Sequence, residues 1–146
     1  MRSESLFLVL ALVLAGICVV SADQAATLTP SQAVQALKAT LKSNSDLSES
    51  NVSLGANGRD VIMFMDPAET TAEKMVESIG YAVGIYATTC SYCPDLGDAT
   101  FEIGVDGVVS GTWMCYRSWI TSAVESGDQS ALADLDKAVW ETGKAT

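Results

Sequence analysis

The strongest constraint on the fold is one apolar stripe set between two strand-like runs. Ala72, Met75, Val76, Ile79, Val83, Tyr86 and Cys90 all fall on one side of a helix. Before the stripe, Val61-Ile62-Met63-Phe64-Met65 is a solid apolar run bounded by polar residues, which fits a buried central strand. After it, Phe101, Ile103 and Val105 share one face of a strand over Ala99–Val105. Asp106-Gly107 then has type I′ hairpin chemistry, and Val108 to about Tyr116 returns as the partner strand.

Helix-start grammar sets the boundaries. Asp66 can cap, Pro67 suits the first helical position and Glu69 closes a capping box, so the long helix is predicted from Pro67 to about Thr89. Gly80 and Gly84 lie four apart on it. Each costs about 1 kcal/mol relative to Ala, which close backbone approach to a sheet or another helix would offset. Thr29-Pro30-Ser31-Gln32 repeats the grammar, and Val34, Leu37 and Leu41 carry an amphipathic helix to about Ser43. Asn51–Leu54 reads as a short strand and Gly55-Ala56-Asn57-Gly58 as a turn. Trp119, Ile120, Ala123 and Val124 mark a helical region that breaks near Gly127. Asp128 then caps a final helix carrying Leu132, Leu135 and Val139. The order α-β-β-α-β-β-α predicts a two-layer α+β domain. Its antiparallel sheet would have about four strands, with a long central helix and terminal helices.

The N-terminus predicts export. Met1-Arg2-Ser3-Glu4-Ser5 is followed by an apolar run from Leu6 to Val20, then by the small residues of Val20-Ser21-Ala22 and polar Asp23-Gln24. This is the layout of a secretory signal over residues 1–22, and the run is short for a bilayer span. The rival reading is an uncleaved anchor, the one route by which the chain would meet a membrane. Ile17 before Cys18 argues against a lipid anchor. Residues 23–146 then form one small acidic α/β domain, secreted or otherwise extracytoplasmic.

Arg2 and Glu4 cancel, so residues 23–146 carry the full net charge of −10. Such a surface repels phosphate backbones, which argues against nucleic-acid binding. The chain has no histidine. That removes Ser-His-Asp and Cys-His catalysis and histidine-ligated metals within the chain. The acidic residues show no calcium-loop spacing, and no carboxylate pair marks a hydrolase. The sequence designates no catalytic residue, no metal ligand and no cofactor.

Three cysteines lie beyond the leader: Cys90, Cys93 and Cys115. Cys90-x-x-Cys93 is placed at the end of the long helix, whereas thioredoxin-type sites put the motif at a helix start, where the dipole lowers a thiol pKa. Asp95 and Asp98 also oppose a thiolate. Pro94 is the last proline, so none lies downstream to supply a cis-Pro neighbour. Three thiols without an imidazole fall short of a zinc site. A structural disulfide is the expected use, Cys93–Cys115 first and Cys90–Cys115 next, with a local Cys90–Cys93 bridge third. It would contribute on the order of 3 kcal/mol. The odd cysteine would be buried or would pair between chains, and a homodimer is one form the protein could take.

Trp113, Tyr116, Arg117 and Trp119 form the richest aromatic cluster, expected to pack in the core or, if exposed, to serve as an interface. Asn51-Val52-Ser53 is an N-glycosylation sequon. These features together predict a non-catalytic extracytoplasmic module that binds a protein or a small ligand, braced by a disulfide. The alternative is a thiol-based redox or metal-binding protein using the C-x-x-C pair.

Overall fold

The structure, a computed structural model, describes residues 27–127 and 129–145. The segment expected to be a leader with its cleavage point, and the expected Asp128 cap, lie outside the described residues. Helix α1 spans Pro30–Lys42 and starts as its sequence prescribes. Gln32 N–H donates to Thr29 Oγ1 at 3.2 Å, and Thr29 N–H donates back to Gln32 Oε1 at 2.9 Å. Strands β1 (Leu47–Leu54) and β2 (Val61–Pro67) follow, then helix α2 (Ala72–Cys90). Strands β3 (Ala99–Val105) and β4 (Val108–Cys115) form the expected hairpin. Asp106 and Gly107 both have positive φ, 52° and 81°, as a type I′ turn requires. Helices α3 (Arg117–Ser126) and α4 (Gln129–Glu141) and a short strand β5 (Lys144–Ala145) complete the order.

The architecture is α+β, but the sheet differs from expectation in two respects. Among the described residues it has five strands in the order β1-β2-β3-β4-β5, and it is mixed, because β2 and β3 run parallel. The long helix is the cause. It carries the chain from the end of β2 back to the end where β2 began, so β3 must start alongside it. Among the described residues the fifth strand pairs at Gly111↔Ala145 and Thr112↔Lys144. Two residues are too few to show a period-two pattern.

The long helix also begins five residues later than its grammar predicts. Asp66 does not cap it. The β1–β2 pairing runs on through Asp66 to Pro67, and the buried Asp66 carboxylate accepts the Gly107 N–H at 2.7 Å. Thr71 takes over as cap, accepting from Lys74 N–H at 3.2 Å.

One sheet face is closed. Val61, Met63, Met65, Ala99, Phe101 and Ile103 are fully buried there, beneath Leu37, Leu41, Ile85 and Tyr86 of α1 and α2. The Tyr86 and Phe101 rings meet edge to face at 6.3 Å. The alternate residues Ile62, Phe64, Thr100, Glu102, Thr112 and Met114 are only half-buried on the opposite face. The glycines of α2 do not serve the close approach expected of them at Gly80. A Cβ there would meet nothing nearer than Asp136 Oδ2, at 3.9 Å.

Candidate functional site

Helix α2 ends at Cys90 with carbonyls that have no intrahelical partner, as every helix does. Backbone N–H groups of Ser91, Tyr92 and Cys93 turn back to Thr88, Thr89 and Cys90, and Arg117, the first residue of α3, adds a charged donor to the last of these carbonyls and to two in the loop beyond. Its Nη2 donates to Cys90 O, and its Nη1 donates to Cys93 O and Leu96 O, all at 3.0 Å. Its backbone N–H, an orphan donor at the start of α3, reaches Asp98 Oδ1 at 2.8 Å. One residue thus ties the end of α2, the 91–98 loop and α3 together.

The turn before β2 locks onto the same loop. Asn57 Oδ1 accepts from Arg59 and Asp60 N–H, each at 2.9 Å. Asp60 Oδ1 then accepts from Asp98 N–H at 3.0 Å, and Arg59 Nε donates to Asp95 O at 3.1 Å. The Tyr86 hydroxyl donates to Gly97 O. Gly97 has to be glycine, because a Cβ would run into the Asp60 carboxylate. Between these segments lies an open groove of about 290 Å³, lined by Asn57, Arg59, Asp60, Pro94, Leu96, Gly97, Asp98 and Arg117. Its walls carry both charge signs, which suits a polar ligand or a protein loop bearing charge of either sign.

The three cysteines surround the clamp, and all are buried free thiols. The bridge expected from Cys115 to Cys93 or Cys90 is not formed in this structure. The Arg117 hydrogen bonds hold the loop without it. Cys115 does return beside the end of α2, close enough for a charge on Cys90 to oppose its ionisation. Burial pushes the Cys115 thiol up to about 12 and the Cys90 thiol up to about 11, the latter against the nearby Arg117 charge. Burial raises Cys93 as well. At neutral pH such groups are protonated and poor nucleophiles. Among the described residues, no three His, Cys, Asp or Glu side chains gather closely enough to hold a metal ion.

The structure divides the aromatic cluster. Trp113 is 7% exposed and belongs to the core. Its indole stacks on Trp140 of α4, with ring centroids 5.4 Å apart and planes at 19°. Tyr116 is exposed, and it meets half-buried Trp119 edge to face at 4.9 Å. Arg117 is not part of an exposed patch, since its guanidinium faces the loop carbonyls. Asn51 is exposed on β1, directly across from Phe64 of β2.

Sequence reasoning missed Trp140 and the Arg59-Asp60-Asp98 side of the groove. The sequence signal for the latter was present, in an Asn-Gly turn that leads straight into an Arg-Asp pair. Comparison with protein-family models, with curated proteins and with solved structures finds no match for this chain.

Proposed function

We propose that this chain is an exported, non-catalytic binding or interaction module. Its binding edge is the groove between Asn57 and Arg117, flanked by Tyr116 and Trp119. Its partner is a protein loop or a small polar ligand. After export, a disulfide carrier of the oxidising compartment takes two electrons and two protons from Cys115 and either Cys93 or Cys90, and the resulting bond braces the fold.

The observation that carries this reading is the state of the thiols. All three are buried and held protonated beside a loop already fixed by Arg117. A redox thiol needs access and a lowered pKa, and these thiols have neither, which supports the non-catalytic reading.

A thiol count on the exported, denatured protein, together with the alkylation rate of the folded protein at neutral pH, tests the reading. One free thiol and slow alkylation support it. Three thiols that all react slowly overturn the brace. A thiol that reacts rapidly at neutral pH in the folded chain overturns the non-catalytic reading in favour of redox chemistry by the C-x-x-C pair.

A further inference from the structure

The sheet face opposite the core bears Ile62, Phe64 and Met114, each left half-buried among the described residues. The Phe64 ring extends along this face over Gly104, where a Cβ would meet its Cζ at 2.5 Å. Beside Phe64, on the edge strand β1, stands exposed Asn51, and the two are cross-strand partners. Residues so paired have Cβ atoms about 5 Å apart, which brings a group attached to one over the side chain of the other. Asn51 is also the first residue of Asn51-Val52-Ser53, and Ser53 shares its face while buried Val52 points into the core.

We propose that Asn51 carries an N-linked glycan whose first sugar lies on Phe64 and covers this part of the sheet face. The inference rests on the export reading above, because the glycan donor is met only on the secretory route. That donor is a polyprenyl-diphosphate-linked oligosaccharide. Asn51 Nδ2 bonds to the anomeric carbon, the bond from that carbon to phosphate oxygen breaks, one amide proton is lost and the lipid diphosphate leaves. The sugar's C–H face packs on the aromatic ring, while its hydroxyls meet water. A glycan on an edge strand also keeps a second chain from pairing with the open backbone of β1.

The test is the intact mass of the protein recovered from the cells that make it, before and after peptide N-glycosidase. The expected result is loss of one glycan, with Asn51 converted to Asp, and no glycan on Ser53→Ala. Removing the glycan should lower the Tm by about 3 °C. Phe64→Leu expressed in the same cells should abolish that difference. An exported chain with a bare Asn51 overturns the proposal and leaves export standing. A chain retained in the cell with its leader intact overturns both. A glycan whose removal leaves the Tm unchanged overturns the contact with Phe64.

Discussion

Arg117 Nη2 donates to the carbonyl of Cys90 at 3.0 Å, so the first residue of α3 caps the last residue of α2. The same guanidinium holds Cys93 O and Leu96 O. Arg117→Met should therefore leave three partly buried carbonyls without their charged donor, costing about 3 kcal/mol. Arg117→Lys should recover only a minority of that, because an ammonium cannot fork across the same carbonyls. Urea denaturation of the three proteins checks both values.

The buried thiols predict an alkaline limit for the reduced protein. A thiol whose folded pKa is raised stabilises the fold fully below its unfolded value of 9.0, and that contribution is lost as pH rises through the folded value. For Cys90 and Cys115 the window runs from 9.0 to about 11 and about 12 respectively. Tyr86, also raised chiefly by burial, steepens the loss at its upper end. Denaturant midpoints measured with reductant across this window should fall. The doubly substituted Cys90→Ala, Cys115→Ala chain should show a shallower fall.

Gly80 invites a stabilising change. It lies inside α2, has a helical backbone, and leaves ordinary contact room for a methyl against Asp136. Gly80→Ala should raise stability by about 0.5–1 kcal/mol through helix propensity alone. A lower denaturation midpoint in the variant would show that α2 and α4 sit closer than the structure has them.

Gly111 should behave oppositely. A Cβ there would lie 2.7 Å from the Trp113 indole, and at Gly143, on the approach to β5, 2.5 Å from Trp113 Nε1. The ring is held between these two backbones and Trp140, so it cannot move aside without breaking the stack. Gly111→Ala should cost about 2 kcal/mol through overpacking. Near-ultraviolet circular dichroism should lose the signal of the coupled indoles.

Most of the element order was legible in the sequence, because local rules decide it. Thr29 and Gln32 can form their box without help from the rest of the chain, and Asp106-Gly107 fixes its turn alone. Asp66 shows where such rules stop. Its cap grammar is sound, but tertiary structure offered its carboxylate a different partner, the Gly107 amide of a distant hairpin. The parallel β2–β3 pairing is likewise a property of the whole path and not of either strand. At the site, the neighbourhood of Cys115 and the end of α2 was legible from the hairpin. The role of Arg117 was not, since three carbonyls leave no mark in a sequence.

The carbonyls held by the Arg117 guanidinium are main chain and are present whatever side chains stand at positions 90, 93 and 96, although its charge also acts on the Cys90 thiol. Those three bonds need no sulfur at the first two, so the loop is held while its thiols are still reduced.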